Sequence, residues 1–305
     1  MPYLFVHFKE KTTPDGEQVY FGLSRDGRVW QQTLGGQPVL TARLGEQGCR
    51  DIEVVRTETG FVILTTDLAI ARRAARDGHI DWKQINSHGS KCLRMWKTPD
   101  LVHFSEERLI HFGRDDFGCL WAPEVVYDDR RDSYVIHWGS TLAQDDYRHM
   151  SIFYTTTRDF ERFALPKLFF TKDCEILDTH IRRIGDRYHM FYKNAHDPSM
   201  NLYATSSDVY GPWLHDEGFA ADMALLDAPG AYEGPTTITL PDGQRVLLLD
   251  FFGCEKEKMG YVPFRQTPQG WRMDKSMMTF PYGYKHGGVL TLTENEYERL
   301  AEAYL

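Results

Sequence analysis

Two short patterns alternate along this 305-residue chain at nearly constant spacing, and their order at the two ends restricts the fold more than any single segment does. One is a turn followed by an aromatic residue. It occurs as Ser24-Arg25-Asp26-Gly27-Arg28-Val29-Trp30 and again at 98–104, 157–163, 207–213 and 267–271, ending on Phe104, Phe163, Trp213 and Trp271. The other is a polar residue opening an apolar, β-prone run: Asp51 in RDIEVV, Glu124 in WAPEVVYD, Asp178 in LDTHIRRI, Glu233 in YEGPTTITL and His286 in KHGGVLTLT. The intervals from 124 to 178 to 233 to 286 are 54, 55 and 53 residues, close to the roughly 40–50 residues of a four-stranded propeller blade. The interval from 51 to 124 is 73 residues, and its excess matches an Ala/Arg-rich, helix-like insertion at 69–75. The chain begins with a turn marker that lacks its opener and ends with an opener that lacks its turn marker. The ends therefore complete one another. An all-β, five-bladed propeller closed by strands from both termini satisfies this pattern and hides the edge strands, whereas a β-sandwich would need the equal intervals to be coincidence. The expectation is one propeller domain over 1–305, with the helical insertion in the first full blade and a C-terminal helix at Glu294–Tyr304, where Thr293 and Glu296 have capping-box spacing.

Composition narrows the function classes. The formal net charge is −9, which disfavours a nucleic-acid backbone as partner. No apolar stretch approaches the roughly 18 residues of a membrane span. The start, Met1-Pro2-Tyr3-Leu4-Phe5-Val6-His7, has no basic lead-in and is interrupted by Lys9, so it reads as a strand and sets the expectation of a cytoplasmic protein. Cys49, Cys92, Cys119, Cys174 and Cys254 are odd in number and contain no CxxC pair, which predicts buried thiols rather than disulfides or zinc. His180 and His189 show no metal-ligand spacing, and phosphate-loop, GxGxxG and nucleophile-elbow motifs are missing. The Arg-rich stretch Ala71-Arg72-Arg73-Ala74-Ala75-Arg76 reads as a solvated face.

In a propeller the innermost strand of every blade lines the central channel, so the residues opening those strands converge. Here they are Asp, Glu, Asp, Glu and His. Converging carboxylates repel and resist desolvation, a cost that function explains. Paired carboxylates across a cleft suit glycosidic bond hydrolysis, in which one acid protonates the leaving oxygen and the other activates water or attacks carbon. A third carboxylate keeps the acid protonated by raising its pKa.

The segments around Asp51, Glu124, Asp178, Glu233 and His286 together resemble glycoside hydrolase family 43 over nearly the whole chain, with Tyr-Glu-Gly-Pro at Glu233 the most specific match and Trp-Ala-Pro before Glu124 the next. That family is a five-bladed propeller of inverting enzymes, mostly β-xylosidases, α-L-arabinofuranosidases and arabinanases. The resemblance implies Asp51 as general base, Asp178 as the residue that tunes and orients the acid, and Glu233 as general acid. The alternative for Asp51 is a salt bridge to Arg50. The family commonly has proline after the base, whereas Ile52 stands here, so Glu53 and Asp67 are rivals for that role. Trp121 is expected as a sugar-stacking platform or an inter-blade core residue, and Glu124 as a substrate contact or a brace for its turn. His286 resembles an axial histidine beneath the site. No cofactor is required, and the resemblance allows a structural calcium ion in the central channel near His286 through water. The expected activity is inverting exo-hydrolysis of terminal α-L-arabinofuranosyl or β-D-xylosyl residues from short plant-derived oligosaccharides, which are the partner expected. The aspartate at position 51 leans toward pentoses, because exo-galactanase-like members tend to lack it. A galactosyl-directed hydrolase, a non-catalytic sugar-binding propeller and a protein scaffold are the rivals.

Overall fold

Runs rich in Val, Ile, Tyr, Phe and Trp, punctuated by Gly, Asp and Asn, form strands because branched and aromatic side chains pack well on a pleated surface. A computed structural model describes residues 1–9, 14–74, 78–196, 198–253, 260–281 and 283–305. These runs make five four-stranded sheets. The first holds β1 (Tyr3–His7), β2 (Tyr20–Ser24) and β3 (Gln31–Gln32). The second is β4 (Cys49–Thr57), β5 (Gly60–Asp67), β6 (Cys92–Thr98) and β7 (Arg108–His111). The third is β8 (Trp121–Asp128), β9 (Ser133–Ser140), β10 (Ser151–Thr157) and β11 (Lys167–Phe170). The fourth is β12 (Ile176–Ile184), β13 (Arg187–Asn194), β14 (Met200–Ser206) and β15 (Leu214–His215). The fifth is β16 (Tyr232–Thr239), β17 (Arg245–Phe251), β18 (Gly260–Thr267) and β19 (Gly270–Met273).

The first sheet is completed from the far end of the chain. Strand β20 (Gly288–Thr291) pairs antiparallel with β1, Tyr3 opposite Thr291 and Val6 opposite Gly288. Strands β4, β8, β12, β16 and β20 touch one another in turn around an axis. Each turn-plus-aromatic marker lies between the third and fourth strands of its sheet, and each opener lies at or just before the innermost strand. The protein is a five-bladed β-propeller.

Apolar side chains fill every seam between blades. Leu4, Phe21, Val54 and Ile63 join the first to the second, and Leu64, Val125, Ile136 and Trp138 join the second to the third. Val126, Ile152, Ile181 and Met190 join the third to the fourth, Phe191, Tyr203, Leu247 and Phe264 the fourth to the fifth, and Phe5, Tyr3, Val246 and Leu248 close the ring. Among the described residues the buried apolar side chains form separate clusters along the seams, so apolar burial is spread around the ring.

The C-terminal helix α4 (Glu294–Tyr304) begins with the expected capping box, in which Thr293 accepts from the Glu296 N–H and the Glu296 side chain reaches back to the Thr293 backbone. The insertion after β5 is helical in two pieces, α1 (Ile70–Arg73) and α2 (Trp82–His88), and residues 75–77, including Ala75 and Arg76, lie outside the described residues. Arg73 is not simply solvated, since its guanidinium pairs with Glu46 and reaches Gln84. Helices α2 and α3 (Glu217–Ala224) were not legible as strand-breaking runs, yet each starts on an aspartate cap, Asp81 accepting from Gln84 N and Asp216 from Phe219 N. Cys49 and Cys119 are buried free thiols, Cys92 and Cys174 are half-buried, and Cys254 lies outside the described residues. Among the described residues no helix is long and apolar enough to cross a membrane.

Candidate active site

Four of the five innermost strands carry a bulge near their start, where register slips between Arg50 and Glu53, Trp121 and Glu124, Leu177 and His180, and Glu233 and Thr236. In each bulge one residue adopts a left-handed backbone: Asp51 (φ 51°), Ala122 (φ 49°), Asp178 (φ 52°) and Gly234 (φ 54°). Asp and Gly suit that conformation better than most residues. A bulge re-aims its side chain away from the strand alternation, and here it turns Asp51 and Asp178 toward one another at the end of the channel.

The five openers therefore do not share one register. Asp51 and Asp178 occupy the left-handed position, Glu233 stands one residue earlier, in register with Trp121, and Glu124 two residues later, in register with Glu53 and His180. Asp51, Asp178, Glu233 and His286 come together, while Glu124 sits a layer deeper, 5% exposed, with its carboxylate on His180 Nδ1 at 2.8 Å.

His286 organises the upper layer. Its Nδ1 lies 3.2 Å from Asp51 Oδ1 and 3.9 Å from Asp178 Oδ2. Asp178 Oδ2 accepts the Gly234 N–H at 3.1 Å, so this carboxylate grips the backbone immediately beside Glu233. Asp51 Oδ2 accepts the Thr66 hydroxyl at 2.8 Å, and Thr66 in turn accepts the Ala122 N–H at 2.8 Å. The His286 N–H donates to Asp250 Oδ2 at 3.1 Å, and Lys285 Nζ lies 2.6 Å from Asp250 Oδ1. Glu233 has 26% of its side chain exposed, and Lys193 Nζ is 3.1 Å from its Oε2.

The rivals for the base are occupied elsewhere. Asp67 is buried against the Arg94 guanidinium and accepts the Ser90 hydroxyl at 2.7 Å; Glu53 lies in the deeper layer 3.1 Å from Arg182. Arg50 pairs with Glu17 at 3.1 Å rather than with Asp51. Ile52 uses what proline lacks: its N–H donates to the His286 carbonyl at 3.3 Å, tying β4 to the segment before β20. Pro123 and Pro235 stand at the matching positions of β8 and β16.

These contacts separate the titration behaviour of the cluster. Burial alone lifts the Asp51 carboxyl, but the His286 hydrogen bond and charge, with Arg50 and Thr66, outweigh it and hold Asp51 below its ordinary value. Asp178 is raised to about 6 by burial, with Glu233 and Asp51 adding to the rise and His286 opposing it. Burial disfavours the charged form of His286, yet Asp178, Asp51 and Glu124 overcome it and raise the imidazole to about 10. At neutral pH the hub thus holds an imidazolium between two carboxylates, Asp51 and the more weakly acidic Asp178.

This has a consequence for stability. Histidine releases its proton at 6.5 in the unfolded chain and at about 10 here. The fold holds the extra proton in between, so the contribution is complete below 6.5 and lost as pH rises through 10. Wild type should lose melting temperature faster over that window than His286→Gln; equal slopes would contradict a buried imidazolium. Gly234 is similarly constrained, since a Cβ there would lie 2.6 Å from His286 Cγ at a φ of +54°. Gly234→Ala should cost more than about 1 kcal/mol in denaturant titration and reduce activity with it; wild-type stability would show that the imidazole moves freely.

Trp121 is half-buried and leans on Leu68, Ile70 and Ile85, with Trp82 of α2 edge-on to it at 6.1 Å. Trp82 is 48% exposed, so the insertion places a second indole beside the first. Sequence reasoning missed Trp82, Thr66, Lys193 and Arg182. The one available signal was charge inside apolar strands, as in Tyr192-Lys193. A calcium ion near His286 does not fit these residues. The imidazole is itself a cation between carboxylates, the acids below are bonded to Arg182, and no group of three or more His, Cys, Asp or Glu side chains with metal-holding geometry occurs among the described residues.

A family model described as a probable glycosyl hydrolase domain, of the glycosyl hydrolase 43-related group, matches residues 1–298. The chain belongs to this glycosyl hydrolase family. An α-L-arabinofuranosidase of Bifidobacterium longum is 26% identical over 191 residues, a match spanning 56% of this chain and 17% of that relative. Among solved structures, a xylan β-1,4-xylosidase from Bacillus halodurans has a TM-score of 0.60 at 14% identity, covering 96% of this family 43-related chain and 56% of its own. An α-L-arabinanase of Cellvibrio cellulosa, complexed with arabinohexaose, has a TM-score of 0.56 at 14% identity, covering 90% and 92%. At these identities the structural likeness concerns the fold.

Proposed function

We propose that this glycosyl hydrolase removes terminal pentosyl residues, α-L-arabinofuranosyl or β-D-xylosyl, from short plant-derived oligosaccharides with inversion at the anomeric carbon. The observation that carries the reading is the Asp51–His286–Asp178–Gly234 chain of contacts, which puts an ionised carboxylate and the backbone of Glu233 on one hub. Asp51, ionised by its imidazolium partner, takes a proton from the attacking water. Glu233, the most exposed of the three acids, gives its proton to the departing oxygen, its Lys193 contact yielding to the substrate. Asp178 orients Glu233 through the Gly234 N–H. Trp121 offers an aromatic face to the sugar ring, with Trp82 beside it. The arabinofuranosidase relative and the presence of Asp51 support a pentose.

The test is a panel of nitrophenyl glycosides. Nitrophenol release from the α-L-arabinofuranoside or β-D-xyloside is expected. Release from the galactoside alone would overturn the pentose assignment, and binding without release would favour a non-catalytic sugar-binding propeller.

A further inference from the structure

Two residues beyond the left-handed position of each bulge stand Glu53, Glu124, His180 and Thr236, and the first three meet across the blades through Arg182 and one another. Glu53 and Glu124 are 2% and 5% exposed. Two carboxylates so deeply buried need a positive partner or a proton. Burial raises Glu53 to about 8 and Glu124 to about 7, with the charge of Arg182 opposing both rises.

That charge is placed to serve three blades at once. Arg182 arises from β12, two residues beyond His180. Its Nη2 lies 3.1 Å from Glu53 Oε1 on β4, and its Nη1 lies 3.4 Å from Glu124 Oε2 on β8. Nη1 also donates to the Val125 carbonyl at 3.3 Å and the Ile181 carbonyl at 3.0 Å. His180 contributes no competing charge. Burial and the charges of Arg182 and His286 hold its pKa far down, and its neutral ring bridges Glu124 and the Thr237 hydroxyl, 2.9 Å from Nε2. His137, opposite Glu124 on β9, is fully buried with no hydrogen-bond partner at either ring nitrogen. A cavity of about 220 Å³ beside Arg182 is lined by Arg183, Thr237, Arg245 and Val289 as well.

We propose that Arg182 is a built-in cation that takes the part of a divalent metal in the propeller channel, its charge together with one retained proton balancing Glu53 and Glu124 so that the hub needs no ion. A guanidinium suits this role because it is always charged and its planar fork meets two carboxylates at once. Removing it leaves two buried acids with no cation between them, and paired carboxylates are the oxygen donors that calcium takes. The proposal concerns the channel and stands whatever sugar the site accepts.

The experiment compares wild type, Arg182→Ala and Arg182→Lys in chelator and in millimolar calcium, by thermal melting and calorimetric titration with calcium chloride. Wild type and Arg182→Lys should bind no calcium in the channel and melt alike in both buffers. Arg182→Ala should melt lower in chelator and gain about 3–6 °C with calcium, as ligand binding to a newly vacated site requires. If Arg182→Ala fails to fold in chelator, its soluble yield with calcium in the medium reads the same effect. Calcium stabilising wild type as much as Arg182→Ala, or Arg182→Ala showing no calcium response in melting, titration or yield, would overturn the proposal.

Discussion

Asp51→Asn should abolish turnover on every substrate, lowering kcat by roughly 10²–10⁴-fold whatever the leaving group, because water deprotonation is needed in each case. The substitution keeps the shape of the side chain and its bond from Thr66. It removes the charge that His286 stabilises, so the imidazole keeps only Asp178 beside it in the upper layer. Substrate affinity should change little, and steady-state kinetics on an activated aryl pentoside together with a natural disaccharide separates kcat from KM. Retained turnover would move the base elsewhere. Glu53 and Asp67 would then be the residues to reconsider, although each is held in a different ion pair.

Glu233→Ala should behave differently. Natural oligosaccharides have poor leaving groups that depend on protonation, and here the loss should again reach roughly 10²–10⁴-fold. A nitrophenolate departs without help, so activated glycosides should stay partly cleavable. The side chain is the most exposed of the three acids; its loss takes the ion-pair partner from the buried Lys193 ammonium, which keeps the Phe252 ring and the charge of Asp178 nearby. The fold should persist, which circular dichroism of the variant checks. Equal losses on both substrate types would argue that Glu233 acts in some role other than proton delivery.

The two substitutions probe what the amino-acid sequence displayed best. Blade number and closure were legible because the turn-aromatic marker recurs between the third and fourth strands of every sheet, and because the ends carry complementary halves of one blade. Asp51, Asp178, Glu233 and His286 were legible as openers of inner strands. Their depth was not. A bulge shifts which residue faces the channel end, so Glu124, which looks equivalent to Asp51 in spacing, lies two positions further down and holds His180 and Arg182. Partners that arrive from other blades were also hidden, since nothing local marks Thr66 as the hydroxyl on Asp51 or Lys193 as the ammonium on Glu233. Short helices escaped for a simpler reason. Seven residues at Trp82–His88 are too few to show a helical period, and only the Asp81 cap gives them away.

The measurement that bears most directly on three acids meeting at one hub is proton NMR of the first sugar released from whichever aryl pentoside is cleaved fastest. A single displacement by water, with Asp51 as base and Glu233 as acid, predicts that the anomer of opposite configuration to the substrate appears first and the other only by mutarotation. Initial release of the anomer that keeps the substrate's configuration would mean a covalent intermediate and would contradict the account.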